Sequence, residues 1–588
     1  MRGYFALALL VCWLGRAAGR AAGVAGARHN VVHIVVDDLR PELGAYGLPS
    51  RHTPTIDHLA ANGTVFDRAY CQQAVCGPSR NSFLTGRRPD ASRTWNFINS
   101  FRDAGSPSAN WTTLPGLFLR AGALALGAGK LFHPKMPAAY DGNRSWSAFG
   151  KNLPFQNPCW NTADSTSSKG CNKTGPASAD CDGGLPCFFC PVDIAAKLDK
   201  KIKVSVENEW CTVDAVEDTE SVNKAVKLLR AAAADGRQFY LAVGMHKPHM
   251  PWQFDASDLA KHPLDDAHTD VAAQRMPPAG MPDLAYHMSD DAADGGAHAA
   301  GPFLAPMTNK TAATARRAYR AAVTGMDRKL GVLLEALDEL GLADSTAVVL
   351  HGDHGWHLGE QGAWRKFTNF EASARVPLIV RAPWLRANGS TPMGTAARSA
   401  AFVELVDVLP TIAELAGVPL PAGESFDGVS MVPLLSGGPP QPPPPPPPTS
   451  PPPSPPPPLA LPLVPPYHWA PKTAAFTQYP RKVKDPAHAW EDNGIIHTDR
   501  ATFTHMGYSV RTAGWRYTEW AAWNGTQLLP IWGDVPYREL YDFRNASSYP
   551  TDFDAAEREN VANRTQYADV VDQLAALIRT QFGPGATQ

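Results

Sequence analysis

Short unbroken apolar runs, each closing on a polar cluster, set the pattern of this chain. They are Asn30–Val36 (NVVHIVV), Phe239–Val243 and Thr346–Leu350 (TAVVL). Runs of this length rich in β-branched residues predict central parallel strands covered on both faces. The first stops at Asp37-Asp38, the second leads into Met245-His246-Lys247-Pro248-His249, and the third opens onto His351-Gly352-Asp353-His354-Gly355. Between them, Ser221–Ala234 and Thr314–Leu340 carry helical periodicity. Strands alternating with helices predict a large doubly wound, mostly parallel α/β sheet domain flanked by helices. Further on, Gly507–Trp520 alternates as a strand pair about Ala513-Gly514. Glu539–Phe543 follows, and Tyr567–Phe582 reads as an amphipathic closing helix. These predict a smaller C-terminal α+β domain with an antiparallel sheet.

Composition shifts divide the chain. Residues 1–27 combine Arg2, the apolar stretch Phe5–Leu14 and small residues from Ala17 to Ala27, the layout of a secretory signal peptide. The apolar run is too short for a comfortable membrane span, and no later segment is both apolar and long enough, so no stable membrane insertion is expected. Residues 437–466 are dominated by proline, which lacks an amide hydrogen and fixes φ, and predict an extended polyproline II linker. Serine-proline runs within it resemble hydroxyproline-rich extracellular matrix proteins. The expected division is therefore a signal peptide at 1–27, a catalytic domain at 28–436, a proline-rich linker at 437–466 and an α+β domain at 467–588.

Net charge narrows the partners. Lys+Arg 54 against Asp+Glu 56 gives -2, with no global field pointing to nucleic acid. Asn-x-Ser/Thr sequons at Asn62, Asn110, Asn143, Asn172, Asn309, Asn388, Asn524, Asn545 and Asn563 support a glycosylated protein of the secretory pathway. The expected destination is extracellular, the cell wall, or a lysosome- or vacuole-like compartment. Cys159, Cys171, Cys181, Cys187 and Cys190 cluster in an insertion at 155–211 that reads as disulfide-stapled; a zinc knuckle lacks a second spaced pair. Cys71 is the candidate unpaired thiol.

The strand-end acids Asp37, Asp38 and Asp353 are hard oxygen donors of the kind a calcium site requires. Alone, an Asp pair after a strand serves equally as a turn or a cap. Cys76, in Cys76-Gly77-Pro78-Ser79-Arg80 ahead of Leu84-Thr85-Gly86-Arg87, reads alone as a buried small hydrophobe or a disulfide half. The two patterns together point to chemistry.

Cys76-x-Pro-x-Arg80 with the following Leu-Thr-Gly-Arg resembles the type I sulfatase signature. The lead-in Gln72–Val75, the Asp37–Pro41 segment, Gly129–Pro134, His246–His249, Asp353–Trp356 and Asn369-Phe370 resemble the iduronate-type subgroup of that family. The resemblance runs from about Asn30 to Gly417 and resumes from Thr477, leaving the insertion, the linker and much of 251–312 uncovered. It implies that Cys76 is oxidised to formylglycine, the protein-derived cofactor, by a formylglycine-generating enzyme. It implies one calcium ion held by Asp37, Asp38, Asp353, His354 and the modified Cys76. Arg80, Lys130 and Lys366 would offset sulfate charge, a hydroxyl of the formylglycine hydrate would attack sulfur, His249 or Lys366 would protonate the leaving alcohol, and His133 would act as base in releasing sulfate.

Arg93, Trp356 and Lys366 match substrate-binding positions of the subgroup, where a guanidinium and an ammonium suit a uronic carboxylate. Phe367 departs from the pattern, standing where the subgroup has tyrosine. The expected substrate is a sulfated glycan or other small sulfate ester, with the 2-O-sulfate of a uronic acid the specific form. The alternatives are a phosphoesterase or phosphonate hydrolase of the alkaline-phosphatase superfamily, and an inactive extracellular matrix-binding protein.

Overall fold

The computed structural model describes residues 28–147, 216–286, 308–386, 397–435, 472–483, 495–544 and 553–583, apart from 104, 105, 135, 251, 266–268, 554 and 555, with three short strands between 189 and 212 traced as backbone. The expected signal peptide, the proline-rich linker and nearly all of the cysteine-rich insertion lie outside the described residues.

Seven strands form the main sheet: β1 (Asn30–Val36), β2 (Thr64–Tyr70), β3 (Leu124–Gly129), β4 (Phe239–Met245), β5 (Thr346–Gly352), β6 (Arg375–Arg381) and β7 (Ala397–Glu404). Their order is β7-β2-β6-β5-β1-β4-β3. β1 pairs in parallel with β4 and β5, β3 with β4, and β7 with β2, while β6 runs antiparallel to both of its neighbours. The sheet is thus mostly parallel, as the apolar runs predict. In β1, Val32, Ile34 and Val36 pack into one core, and Val31 and Val35 into the other. Burial on both faces is why that strand reads as continuously apolar.

Helices α1 (Cys76–Thr85), α2 (Leu114–Arg120), α3 (Val216–Asp235), α4 (Asn309–Glu339) and α5 (Val408–Ala416) cover the sheet. α3 and α4 pack on one face, and α1, α2 and α5 on the other. Both long helices start five residues earlier than their apolar periodicity predicts. For α4 the reason is a cap: Thr308 accepts a hydrogen bond from the Thr311 amide, so polar first-turn residues join the helix.

The antiparallel sheet comprises β8 (Ala474–Arg481), β9 (His505–Thr512), β10 (Trp515–Asn524), β11 (Leu529–Ile531) and β12 (Tyr537–Asp542), with β10 pairing β9, β11 and β12. The strand pair turns at Ala513-Gly514, and the closing helix α6 (Ala568–Phe582) buries Leu574, Ile578 and Phe582. This sheet and the connection between β8 and β9 also fix the site-bearing loops. The Gln478 amide donates to Gln72 O at 2.8 Å, Arg481 Nη2 to Phe367 O at 2.8 Å, and the Phe97 amide to Ile496 O at 2.7 Å.

Candidate active site

β5, β1, β4 and β3 are adjacent and parallel, so their carboxyl ends open at one edge of the sheet. Asp37 and Asp38 leave β1 there, Lys130 leaves β3, His246 and His249 follow β4, and Asp353 and His354 follow β5. Two glycines permit the close approach of β3 and β4. A Cβ on Gly244 would stand 1.9 Å from Lys130 O, and one on Gly129 would stand 2.0 Å from Gly244 O. α1, buried along its whole length, then brings the Cys76 and Arg80 side chains to the same edge, against Asp37 and Asp353.

Cys76 is the hub. Its sulfur lies 3.2 Å from Asp37 Oδ1, 3.3 Å from His354 Nε2, 3.1 Å from Lys366 Nζ and 3.8 Å from Lys130 Nζ. Burial, and then the Asp37 charge, push the thiol up to about 12. An unmodified Cys76 is therefore a neutral thiol near neutral pH and a weak nucleophile.

Three buried cations face three buried carboxylates. Arg80 Nε pairs with Asp353 Oδ2 at 2.9 Å, and its Nη2 lies 3.3 Å from Asp37 Oδ1. Lys130 donates to Asp37, and Lys366 to Asp38 Oδ1 at 2.7 Å. Burial alone raises the Asp37 carboxyl, yet Lys130 and Arg80 hold it well below the usual range. Burial dominates for the others. Asp38 is raised to about 6 against the pull of Lys366, and Asp353 to about 7, where the Asp37 charge adds to burial.

The donor set fits a divalent cation. His354 Nδ1 faces Gly355 O at 2.9 Å, which places the proton on Nδ1 and turns the Nε2 lone pair toward the acids, 3.3 Å from Asp38 Oδ1. Ligand atoms of Asp37, Cys76, Asp353 and His354 lie within 4.8 Å of one another. Asp38 Oδ2 is buried without a hydrogen-bond partner, an arrangement that costs energy unless a cation satisfies it.

The remaining candidates stand around this cluster. His249 Nδ1 donates to Met250 O at 2.6 Å, and a ligand atom of its ring falls within 4.8 Å of one on Asp37 and one on His246. His133 Nδ1 donates to Pro134 O at 3.2 Å while its ring stacks on Phe97 at 3.8 Å. Trp356 is buried with Lys366 Nζ 5.5 Å from its ring centre. Arg93 stands apart: half-buried at φ 53, its carbonyl accepts from Arg500 Nη1 at 2.6 Å, and it enters none of the cluster's hydrogen bonds. Cys71 is a free, buried thiol.

Two members are not singled out by sequence. His246 Nδ1 lies 3.7 Å from Asp37 Oδ2, with its ring centre 4.7 Å from that of His249. Ser79 donates to the Asp353 carbonyl. The signal for His246 is its place directly after β4, in the His-Lys-Pro-His segment itself. Ser79 carries no such signal, since its role is a backbone contact.

A doubly wound sheet whose carboxyl edge sets buried cations against a metal-fitting acidic cluster defines a hydrolase of anionic esters. Residues 29–418 match the sulfatase family model. The chain belongs to the sulfatase family and is a sulfuric ester hydrolase. It is 32% identical over 572 residues to iduronate 2-sulfatase of Homo sapiens and 31% identical over 570 residues to that of Mus musculus, covering 93% of each chain in both comparisons. Among solved structures, a phosphonate monoester hydrolase from Silicibacter pomeroyi superposes with a TM-score of 0.61 at 21% identity, covering 95% of this chain and 96% of that one. A 2-O GAG sulfatase superposes with a TM-score of 0.59 at 16% identity, covering 94% of this chain and 91% of its own. Both likenesses describe the fold. No helix among the described residues is long and apolar enough to cross a membrane.

Proposed function

We propose that this sulfatase removes the 2-O-sulfate of a uronic acid in a sulfated glycan, using a formylglycine made from Cys76 and one calcium ion. The observation that carries the reading is the Cys76 sulfur itself, within 3.3 Å of an acid, an imidazole and an ammonium at the N-terminus of α1. A buried neutral thiol has little use there, whereas an oxygen nucleophile at the same carbon meets ligand-type groups on every side. Oxidation by a formylglycine-generating enzyme and hydration give residue 76 two hydroxyls on one carbon, one to attack sulfur and one to release sulfate. Calcium bound by Asp37, Asp38, Asp353, His354 and residue 76 supplies Lewis acidity toward the ester oxygens.

The chain's own groups do the rest. Lys130, Lys366 and Arg80 offset the charge that otherwise repels a nucleophile from a sulfate ester. Their buried ion pairs keep them oriented before substrate arrives, so little reorganisation is left for the reaction. The leaving alcohol is protonated by Lys366, which carries its proton in the resting chain, or by His249 after its Nε2 has taken up a proton, its Nδ1 being committed to Met250 O. His133, similarly committed to Pro134 O, offers Nε2 as the base. Burial, followed by Lys130, holds both imidazoles well below their ordinary range, so both are neutral in the resting chain and able to accept a proton. Arg93, Trp356 and Lys366 are assigned to the uronic carboxylate.

The same reading assigns 1–27 as a secretory signal peptide, 28–436 as the catalytic domain, 437–466 as a linker and 467–588 as the α+β domain, in a glycosylated protein of the secretory pathway. Mass spectrometry of the tryptic peptide containing residue 76 tests the mechanism. Formylglycine is expected in active protein, and unmodified cysteine in protein that turns over sulfate esters overturns it. A panel of 2-O-, 4-O- and 6-O-sulfated oligosaccharides tests the substrate, with preference for a uronic 2-O-sulfate expected.

A further inference from the structure

Beneath the site lies a chain of buried polar groups that the proposed reaction does not use. His33 on β1, His351 on β5 and Tyr240 on β4 are all fully buried, in the core face that also receives α1. Tyr240 Oη lies 2.8 Å from His33 Nδ1, His33 Nε2 lies 2.8 Å from His351 Nε2, and His351 Nδ1 lies 2.8 Å from Gly352 O. One assignment of protons satisfies every member. The Gly352 carbonyl can only accept, so His351 Nδ1 carries its proton and His351 Nε2 is an acceptor. His33 Nε2 must then donate, and His33 Nδ1 accepts from the tyrosine hydroxyl. Both rings are neutral in this assignment. They are wedged against Phe83 of α1, whose ring centre stands 4.7 Å from that of His351 and 6.0 Å from that of His33.

The far end of the chain is the peptide that leads into Asp353. Its carbonyl, Gly352 O, accepts from His351, and its amide, Asp353 N, donates to Val36 O at 3.1 Å. The peptide plane is thus held from both sides, one step from the carboxylate that pairs with Arg80 and belongs to the metal-fitting cluster.

We propose that His33 and His351 are positioning residues, a neutral hydrogen-bonded tether that sets the Gly352–Asp353 peptide and through it the Asp353 carboxylate for calcium and Arg80. A histidine in the middle of one apolar strand and another at the carboxyl end of its neighbour, both fully buried, cost packing and desolvation, and a tether to a ligand-bearing peptide gives that placement a use. The proposal rests on the calcium reading above.

Calcium titration of metal-free protein by calorimetry, alongside kcat and KM of the calcium-loaded enzyme, tests it. His351→Leu and His33→Leu are expected to weaken calcium binding about 10-fold or more, the range of losses seen when partners of metal ligands are removed. kcat falls with them and KM is retained. His351→Asn, which keeps a donor for Gly352 O, and His33→Gln, which keeps both a donor and an acceptor, are expected to bind calcium nearly as wild type does. If His351→Leu does not fold, the pair His33→Leu and His33→Gln decides. Leucine variants with unchanged calcium affinity and kcat, whatever their thermal stability, overturn the tether and leave the calcium reading standing. A wild-type chain that binds no calcium overturns both.

Discussion

Lys366 Nζ lies 3.1 Å from Cys76 Sγ and 2.7 Å from Asp38 Oδ1, so one ammonium bridges the reactive position and an acid of the metal-fitting cluster. Burial opposes its charge, yet Asp38 and the other acids hold its pKa well above that of an ordinary lysine. Lys366→Met is expected to lower kcat/KM for a sulfate ester by roughly 10²- to 10³-fold, the scale of losing one preorganised charge-stabilising donor. Steady-state kinetics on the purified variant measures it, and a loss under about 3-fold would remove Lys366 from the chemistry.

Cys76→Ala is expected to abolish sulfate-ester hydrolysis while far-ultraviolet circular dichroism stays unchanged. The side chain removed is small, and burying a methyl in place of a thiol costs about 1 kcal/mol. Cys76→Ser is expected to be as inactive, because serine carries a single hydroxyl on that carbon. Turnover at the wild-type rate by either variant rules out residue 76 as the source of the nucleophile.

Chelation should both inactivate the enzyme and lower its melting temperature. A ligand at 100 times its dissociation constant stabilises the folded chain by about 2.7 kcal/mol, which its removal takes away. Readdition of calcium is expected to restore both signals in the wild type and neither in Asp353→Asn. Identical melting curves with and without chelator would contradict a resident metal.

The contact between the two sheets should respond to pH in two directions. Glu371 accepts from Tyr70 and pairs with Arg511 at 3.2 Å and with Arg516, while Glu557 pairs with Arg516 at 2.7 Å. Burial raises the Glu371 carboxyl, but Arg511, Arg516 and Arg375 outweigh it and bring it from 4.5 to about 2. Its contribution is present above pH 4.5 and is lost as pH falls through 2. Burial carries Glu557 the other way, to about 7, against the pull of Arg516. That contribution is full below 4.5 and is lost as pH rises through 7. Thermal unfolding followed from pH 2 to 8 is expected to show Glu371→Gln flattening the acid limb and Glu557→Gln the neutral limb. Parallel curves for all three proteins would refute the assignment.

Much of this was legible in the chain because parallel strands announce themselves. β1, β4 and β5 are apolar on both faces, and their polar ends put Asp37, Asp38, His249 and Asp353 at one edge before any coordinates are seen. β2, β6 and β7 are less legible. β2 carries Asp67 and Arg68 mid-strand, β6 contains Pro377, and β7 begins with polar Arg398 and Ser399, so no unbroken run marks them. The antiparallel β6 is the departure from a purely parallel sheet. At the site, the groups that side-chain chemistry reveals were readable, whereas Ser79 and the His33–His351 pair act through backbone carbonyls that no residue pattern encodes. His133, His249, His351 and His354 share one local habit, Nδ1 facing the carbonyl of the next residue, which only coordinates disclose.

Arg481 reaches from β8 to the carbonyl of Phe367, 114 positions earlier, beside the lysine that bridges Cys76 and Asp38. A nascent chain leaving the ribosome therefore holds its reactive cysteine long before it holds the wall that faces it. A premature stop codon between Lys366 and Arg481 leaves every proposed catalytic residue translated and the pocket unfinished. Late truncations of this chain belong with active-site lesions.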